Sequence, residues 1–507
     1  MTHPESVWRA TARGPEFPRL AGDRDVDVAI VGAGVSGLTA AAVLAGRGLR
    51  VIVLERDRVG SGETGNTTSH LTEAVDARYQ SLIKDFGLEG ARLVQQSKHE
   101  AIERIEAFAR ALRVGFARTP GYLYTERERD LDFLAKELDA AQRAGCPAEW
   151  VDDVPLPFPT RGGVRWDAQG QVHATEYLFA LAKEAATRGV DIFEHTIVTN
   201  VQEGEPCRIE VDGGVVRAAA VFVAANVPVN NRVLLHTKIA AYRSYAFAAE
   251  VEPGYLRGLF WDTDDPYHYT RPQDIGDKQF LIIGGEDHRT GEEKDTDARY
   301  RALVDYAQAR FPIGPVRYRW SGQIIEPVDG LPFIGPNSGS SHVFVATAYA
   351  GNGITYGTLA GVMFADYVQK QPNRYAALYD ATRVKPLASA YDYVAENALF
   401  PAHLLKDRLT SANADVKAVD DLRPGEGGIF AGDAGKIAVC RDERGQLHGC
   451  SPVCTHLACD VAWNRAEQTW DCPCHGSRFS PDGKVINGPA TAALRQLSVP
   501  QSRVPST

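Results

Sequence analysis

The sequence predicts an α/β nucleotide-binding domain of the Rossmann-like kind, an inserted antiparallel-sheet domain that binds the substrate, and a small all-β domain. Three observations support this prediction. A βαβ pattern with three glycines occupies residues 27–55, alternating apolar and aromatic runs follow at 242–284, and six of the eight cysteines lie between residues 440 and 474. With 507 residues the chain is too long for one hydrophobic core, so two or three domains are expected.

The first element is a dinucleotide-binding βαβ unit. An apolar run at 27–31 ends in Gly32, Gly34 and Gly37, and a helical stretch at 38–44 leads to a second apolar run at 51–54 that ends in Glu55. Gly32 permits the tight turn, Gly34 lets backbone amides approach a pyrophosphate, and Gly37 allows the helix to pack closely on the strand. Glu55 is placed to bind a ribose hydroxyl. The alternative is a glycine-rich turn in a generic α/β protein.

The middle of the chain alternates between helical and strand patterns. Apolar spacing predicts helices over 86–114, 130–144 and 302–310. Strands are expected near 193–201, 219–224 and 343–347 in the nucleotide-binding domain. Runs at 242–251, 267–271 and 279–284 predict antiparallel strands that cover a pocket.

The C-terminal region holds two short clusters of metal-binding residue types. Cys454 and His456 form one, and Cys472, Cys474 and His475 form the other. Two thiolates and two imidazoles are the ligands of a Rieske [2Fe-2S] centre, in which one iron takes two cysteines and the other two histidines. A Cys2His2 zinc site uses the same types but usually has two or more residues between paired ligands, whereas one residue separates Cys454 from His456. Unrelated Cys/His pairs are the remaining alternative.

These two clusters resemble the cytochrome bc-complex class of Rieske proteins. The resemblance implies that Cys454, His456, Cys472 and His475 ligate iron, and that Cys459 and Cys474 form a disulfide. In that class a serine and a tyrosine donate hydrogen bonds to sulfur and raise the reduction potential. Here Ser477 is present, but the tyrosine position is Phe479. The loss of one donor predicts a potential below that of the respiratory members.

Two further segments distinguish FAD from NAD. A Gly/Ser/Thr-rich loop at 60–68 follows Glu55, and the segments 329–335 and 351–355 frame the strand at 343–347. Together with the βαβ unit, they resemble the D-amino-acid oxidase superfamily of FAD enzymes from about residue 26 to about 369. The resemblance implies bound FAD, non-covalent because the position best matching an attachment histidine is Asn66. It also implies these cofactor-binding residues: Gly32, Gly34, Val35, Ser36, Gly37, Glu55, Arg56, Ser61, Gly62, Thr64, Thr67, Thr68, Val201, Asn226, Gly330, Gly351, Asn352, Gly353, Ile354 and Thr355.

With the segments 284–291 and 321–327, the whole chain resembles a bacterial family of FAD-dependent oxidoreductases that carry a C-terminal Rieske domain. We expect an FAD-binding domain at 1–80, 160–230 and 320–385, and a substrate-binding domain at 81–159 and 231–319. A linker or helical arm at 386–420 then leads to the Rieske domain at 421–507. The Gly/Pro run at 424–428 lies at that boundary.

This resemblance implies oxidation of a carbon–nitrogen bond in an amine or amino-acid-like substrate. A hydride passes to flavin, and single electrons pass through the cluster to a carrier such as a ferredoxin, cytochrome or quinone. One alternative is an electron-transfer or reductase flavoprotein that receives electrons from an external carrier through the cluster. Another is an FAD oxidase in which the Rieske-like domain is structural.

The candidate catalytic residues come from position alone. Tyr245, His268, Tyr269 and Arg271 lie on the strands expected to cover the pocket, and Tyr349 lies beside the late glycine turn. Arg271 is the candidate for binding an anion because its guanidinium matches a carboxylate. For each aromatic residue the alternative is a half-buried strand position.

Amino-acid oxidases of the superfamily usually carry an arginine shortly before the segment 329–332. Here Ile324 and Ile325 occupy that region and Glu326 follows. We therefore expect a secondary or cationic amine, which Glu326 would attract, in place of a simple α-amino acid.

The net charge of −10 and the absence of a Lys/Arg cluster argue against nucleic acid and anionic membranes as partners. No apolar run is long enough to span a membrane, and residues 1–20 are polar, so we expect a cytoplasmic protein. The expected disulfide is unusual in that compartment, where thiols are kept reduced. A disulfide buried beside a cluster is an exception that can persist there.

Overall fold

The computed structural model describes residues 4–228, 235–384, 416, 418–432 and 435–499. The arm expected at 386–420 falls mostly outside the described residues. The helices are α1 (Val7–Thr11), α2 (Val35–Leu44), α3 (Tyr79–Leu112), α4 (Leu131–Ala144), α5 (Ala174–Thr187), α6 (Thr296–Arg310), α7 (Gly353–Val368) and α8 (Ala376–Tyr379). None of the described helices combines the length and apolar composition that a bilayer span requires.

Strands make up the rest of the regular structure. In chain order they are β1 (Arg24–Val31), β2 (Val51–Leu54), β3 (His70–Leu71), β4 (Phe116–Thr125), β5 (Ala148–Val151), β6 (Gly162–Val172), β7 (Asp191–Phe193), β8 (Val198–Gln202), β9 (Cys207–Val211), β10 (Gly214–Val223), β11 (Ile239–Val251), β12 (Leu259–Asp262), β13 (His268–Ile275), β14 (Lys278–Arg289), β15 (Val316–Pro327), β16 (Phe333–Pro336), β17 (Val343–Thr347), β18 (Gly427–Gly432), β19 (Gly435–Arg441), β20 (Leu447–Cys450), β21 (Ala462–Asn464), β22 (Thr469–Asp471), β23 (Arg478–Phe479) and β24 (Val485–Asn487).

An eight-stranded sheet forms the nucleotide-binding domain. Its order is β16-β17-β10-β1-β2-β7, with β9 beside β10 and β8 beside β9. The four central pairings, from β17 to β7, are parallel. Because helices cover such a sheet, β2 is apolar throughout and buried along its whole length. The predicted βαβ unit is therefore confirmed as β1, α2 and β2.

A nine-stranded sheet forms the substrate-side domain, in the order β15-β11-β14-β13-β12-β4-β6-β3 with β5 beside β6. All its pairings are antiparallel except that of β12 with β4. The sheet includes all of β6 and the whole of β15.

Several helices differ from the prediction, among them α6, which begins at Thr296, six residues before the predicted start at 302. Helix α3 begins at Tyr79, seven residues before the predicted start, and Gly87 interrupts it with a φ of 74°. Helix α5 was not among the predicted elements. It begins after His173, whose ring nitrogen accepts a hydrogen bond from the Glu176 amide, whereas Ser, Thr, Asp and Asn are the usual caps.

The C-terminal domain contains two small antiparallel sheets, β18-β19-β20 and β21-β22-β23-β24. Between them lies a buried cluster that includes Cys454, Cys459, Cys472, Trp470 and Phe479. The predicted fold class, an α/β domain with an antiparallel-sheet insertion and a small all-β domain, is thus confirmed.

Candidate functional site

The turn between β1 and α2 requires glycine at two positions. Gly32 has a φ of 103°, and a Cβ there would lie 2.6 Å from the carbonyl oxygen of Ala224. A Cβ at Gly37 would lie 2.0 Å from the carbonyl oxygen of Gly32. Helix α2 therefore approaches the strand ends closely, and its first turn directs backbone amides into the space above.

That space is a cavity of about 570 Å³, within the usual range for cofactor sites. Glu55 lies along it and accepts a hydrogen bond from the Ala33 amide at 2.8 Å. Burial raises the pKa of Glu55. Most of the expected cofactor-binding residues line the cavity: Gly32, Gly34, Val35, Ser36, Glu55, Arg56, Gly62, Thr64, Thr67, Thr68, Asn226, Gly351, Asn352, Gly353 and Ile354.

Five expected residues lie outside the lining. Gly37 acts through packing, and Ser61 donates its hydroxyl hydrogen bond to the carbonyl of Arg58. Val201 faces a hydrophobic core, whereas Val198 on the same strand reaches the cavity. Gly330 forms a turn with a φ of 80°. Thr355 accepts a hydrogen bond from Lys98 behind the cavity wall.

A polar network supports the opposite end of the cavity, where α7 begins, and runs from the exposed Asp76 to the buried Lys98. Asp76 accepts hydrogen bonds from the Gly351 amide at 2.7 Å and from Asn352 Nδ2 at 2.8 Å. Lys98 donates to the side-chain oxygens of Asn352 and Thr355. Burial lowers the pKa of Lys98 to about 7. The loop and the start of α7 are therefore held in one arrangement.

Two of the five candidate catalytic residues line the cavity. The hydroxyl of Tyr349 shares a hydrogen bond of 2.9 Å with Ser36 Oγ. Tyr269 lies against Gly284, where a Cβ would come within 2.2 Å of the tyrosine ring. Gly284 therefore makes room for this side chain.

The other three candidates do not reach the cavity. Tyr245 points to the opposite face of the sheet and bonds His288 Nε2 at 2.9 Å. His268 is paired with Asp262 at 2.9 Å and with Glu286 at 3.3 Å. Arg271 donates to the carbonyl oxygens of Thr68 and Ser69, at 3.2 and 2.7 Å, so its guanidinium supports the loop over the cavity.

Three residues that line the cavity were not predicted from the sequence. Ser244, Trp261 and Tyr267 line the cavity beside Tyr269. Side chains alternate between the two faces of a strand, and this alternation is the signal that could have identified two of them. Ser244 is next to Tyr245 and so faces the opposite side, whereas Tyr267 is two residues from Tyr269 and so faces the same side.

Asp287 lies near Ser244 and Tyr267, and both side chains act to lower its pKa. Its Oδ1 is buried without a hydrogen-bond partner among the described residues. Burial raises the pKa of Asp287 to about 7, with a further rise from Asp76 that Ser244 opposes. A carboxyl group with this pKa exchanges protons near neutral pH.

The four predicted iron ligands converge in the C-terminal domain. The thiols of Cys454 and Cys472 are buried and lie close to each other, and the ring centroids of His456 and His475 lie 5.1 Å apart. Burial, His456 and Arg289 lower the pKa of His475 to about 3, so its imidazole is in the neutral, metal-binding form. The donor set fits a [2Fe-2S] cluster.

The surroundings of these ligands also agree with the resemblance. Cys459 and Cys474 form the expected disulfide, with a Cα–Cα distance of 6.5 Å. Ser477 lies near the sulfur of Cys454 and acts to lower the pKa of that thiol. Phe479 is fully buried in the same cluster of side chains and offers no hydrogen-bond donor.

The C-terminal domain also closes one side of the large cavity. Lys484, Val485, Asn487, Ala490 and other residues of this segment contribute to the lining. Asn487 Nδ2 donates to Glu63 Oε1 at 2.9 Å, and Arg56 donates to the carbonyl of Ile486. The nucleotide cavity and the metal-binding domain are therefore parts of one assembly.

Comparisons with known proteins agree with both sites. The family model described as FAD dependent oxidoreductase matches residues 27–367, and the model described as Rieske [2Fe-2S] domain matches residues 413–498.

Relatives match along the whole chain or along its larger part. The putative Rieske 2Fe-2S iron-sulfur protein YhfW of Bacillus subtilis is 30% identical over 98% of this chain and 98% of its own. Gamma-glutamylputrescine oxidoreductase of Escherichia coli is 23% identical over 74% of this chain and 91% of its own. The structure of glycine oxidase from Geobacillus kaustophilus matches with a TM-score of 0.62 and 22% identity, covering 71% of this chain and 99% of that chain.

Proposed function

Because the chain belongs to the family of FAD dependent oxidoreductases and carries a Rieske [2Fe-2S] domain, we propose that it oxidises a carbon–nitrogen bond of an amine or amino-acid-like substrate. Single electrons then pass through the cluster to an external one-electron carrier. The observation that carries this proposal is the shared cavity, whose wall combines the nucleotide cradle, the tyrosines of the substrate-side sheet and a segment of the Rieske domain.

The chain's own residues hold FAD without a covalent bond. Amides at the start of α2 would face the pyrophosphate, Glu55 would bind a ribose hydroxyl, and the start of α7 would bind the flavin end. When bound, FAD accepts a hydride from a carbon next to nitrogen and can release electrons one at a time. Asn66, the position that best matches an attachment histidine, lines the cavity and offers no imidazole for attachment.

The substrate is proposed to be an amine for which an α-carboxylate is not required. Ile324 and Ile325 line the cavity where amino-acid oxidases of the superfamily usually carry an arginine. Arg271 is occupied by backbone carbonyls. The rings of Tyr267 and Tyr269 can contact the apolar part of an amine, and their faces attract a cation.

Proton transfer is assigned to Asp287 acting through its neighbours. An amine must lose its ammonium proton before its nitrogen can assist hydride loss. Ser244 and Tyr267 line the cavity and lie near Asp287, so their hydroxyls are placed between the substrate nitrogen and a carboxylate. The proton would move from nitrogen through one of these hydroxyls to Asp287.

The proposal is tested by anaerobic titration of the holoprotein with a panel of amines and α-amino acids. Flavin absorbance and the electron paramagnetic resonance (EPR) signal of the cluster are followed together. We expect an amine to bleach the flavin first and the reduced-cluster signal to follow. If no amine bleaches the flavin but reduced ferredoxin reduces first the cluster and then the flavin, the protein is instead a reductase. If simple α-amino acids outperform all other amines, the proposed substrate class is rejected.

A matched pair of cysteine variants tests the role of the cluster. Cys454→Ser removes a ligand, whereas Cys440→Ser changes another buried cysteine of the same domain. We expect Cys454→Ser to retain flavin bleaching by the amine but to lose turnover with a one-electron acceptor, and Cys440→Ser to retain both. Full turnover of Cys454→Ser with oxygen would show that the Rieske domain is structural.

A further inference from the structure

The two segments at 284–291 and 321–327, which the sequence resemblance highlighted, both contact the second ligand loop of the cluster. A Cβ at Gly291, whose φ is 78°, would lie 2.8 Å from the Pro473 nitrogen and 2.9 Å from the Asp471 carbonyl oxygen. Further along the same loop, Gln323 Nε2 donates to the Gly476 carbonyl oxygen at 2.6 Å. The part of the chain that precedes the Rieske domain therefore contacts this loop at two points.

At Gly476 the ligand loop lies very close to the substrate-side sheet. It follows the ligand His475, and its φ is 73°. A Cβ there would lie 2.4 Å from the Cβ of Ala241 and 2.5 Å from Gln323 Nε2. A larger residue would separate the two domains, so glycine is required by both conformation and contact.

Gln323 belongs to both sites at once. It is 5% exposed and lines the nucleotide cavity. Its backbone amide donates to Glu63 Oε2 at 2.6 Å, and Glu63 also lines the cavity. Its side chain bonds the loop that carries His475. A single residue thus connects the cavity wall to the ligand loop through hydrogen bonds.

His236 contacts the histidine ligands directly. Its ring centroid lies 4.9 Å from that of His456 and 5.7 Å from that of His475, edge-on in both cases. His236 is 2% exposed and lies immediately before β11 of the substrate-side sheet. The histidine ligands therefore face the catalytic part of the chain.

We propose that Gln323 is the protein link for electron transfer between the FAD cavity and the cluster, and that His236 orients the histidine ligands toward it. This inference rests on the electron relay of the proposed function. Each transfer takes one electron from the reduced flavin and converts one ferric ion of the cluster to ferrous. Oxidation of one amine releases two electrons, so two transfers occur. Two equivalents of an external one-electron acceptor then reoxidise the cluster.

The experiment uses light in place of a substrate. Blue light with EDTA reduces bound flavin in the holoprotein, and the cluster signal is followed after the pulse. In Gln323→Leu we expect the rate of cluster reduction to fall by an order of magnitude. The FAD content, the EPR g-values and the midpoint potential of the cluster are measured in the same preparation, so that slower transfer is separated from loss of cofactor or a shifted potential.

The matched control is Gln279→Leu. Gln279 is also buried in the same sheet, but its side chain bonds Asp274. We expect the wild-type rate in this variant. If Gln323→Leu does not load the cluster, Gln323→Asn is measured in its place, since its shorter side chain withdraws from Gly476. A wild-type rate in the Gln323 variant, an equal slowing in Gln279→Leu, or a slowing explained by a shifted potential would each overturn the proposal.

The outcomes also separate this inference from the proposed function. If no amine bleaches the flavin but light-driven transfer depends on Gln323, the amine substrate is rejected and the link is retained. If amines bleach the flavin but the rate of transfer does not depend on Gln323, the amine substrate is retained and the link is rejected.

Discussion

Glu467 of the Rieske domain forms a salt bridge with Arg243 of the substrate-side sheet, with 3.1 Å between Oε2 and Nη2. Arg243 is 1% exposed, and the same carboxylate lies 3.5 Å from Arg478. Tyr300 donates to Glu467 Oε1 at 3.1 Å. Burial acts to raise the pKa of Glu467, but the two arginines outweigh it and lower that pKa. The carboxylate is therefore ionised and fixes the Rieske domain on the sheet.

Replacement of this carboxylate should be costly. Glu467→Ala leaves Arg243 buried without its salt-bridge partner, a change that costs about 3–5 kcal/mol in comparable buried pairs. The measurement is the denaturant midpoint of the holoprotein. The exposed pair of Arg143 and Asp139 on α4 provides the control, and Asp139→Ala should cost no more than about 0.5 kcal/mol. Similar midpoints for the two variants would contradict the assigned role.

His268 is expected to make stability depend on pH. Burial acts to lower its pKa, but hydrogen bonds to Asp262 and Glu286 outweigh burial and raise it to about 9. The folded state therefore binds the proton more tightly than the unfolded state, whose histidine has a pKa near 6.5. The stabilisation is about 3 kcal/mol, because a shift of one pKa unit corresponds to about 1.4 kcal/mol. It is complete below about pH 6.5 and is lost as pH rises through 9.

The variant His268→Gln tests this assignment. Unfolding of the wild type and of the variant is measured from pH 6 to pH 10. We expect the variant to be less stable at pH 6 and the two proteins to converge above pH 9. A constant difference across the whole range would mean that packing, such as the ring stacking of His268 on Tyr306 at 3.7 Å, accounts for the effect.

The disulfide is expected to stabilise the ligand loops. Cys459 and Cys474 are 15 residues apart in sequence, and a closed loop of that length stabilises a fold by about 3 kcal/mol. In the double variant Cys459→Ala and Cys474→Ala, cluster absorbance should be lost at a lower temperature, while flavin release is affected less. Unchanged cluster loss on heating would show that the domain contacts alone hold the loops.

Phe479→Tyr should raise the reduction potential of the cluster. The substitution restores the hydrogen-bond donor that the bc-complex class carries at this position. Phe430→Tyr is the matched control, since Phe430 packs on the other small core of the same domain. EPR-monitored redox titration measures both. If the two variants have equal potentials, Phe479 does not face a sulfur of the cluster.

The sequence was sufficient where chemistry is concentrated in one short segment. The β1–α2 turn and the convergence of the Cys and His residues could be predicted because Gly32, Glu55, Cys454 and His475 lie in motifs whose spacing has a direct physical cause. The substrate side was harder, because a strand presents alternate residues to opposite faces. The prediction named Tyr245, whose side chain lies on the face of the sheet away from the cavity, whereas the neighbouring Ser244 faces the cavity.

Contacts between distant segments leave no periodic signal. Gln323 and Gly476 lie 153 residues apart, and neither position shows in its own segment that it faces the other. The same holds for His236, which is a single histidine in sequence and a neighbour of two ligands in space. Packing between domains, which is decided by shape over many residues, was therefore beyond prediction.

The cavity wall joins Arg56 to Ile486, which are 430 positions apart. During synthesis, the βαβ cradle emerges long before the segment that completes the cavity. The wall of the FAD cavity is therefore complete only after the Rieske domain has folded against the cradle. Conditions that keep the Rieske domain from folding would leave the cavity open on the side where residues 484–493 contribute to its lining.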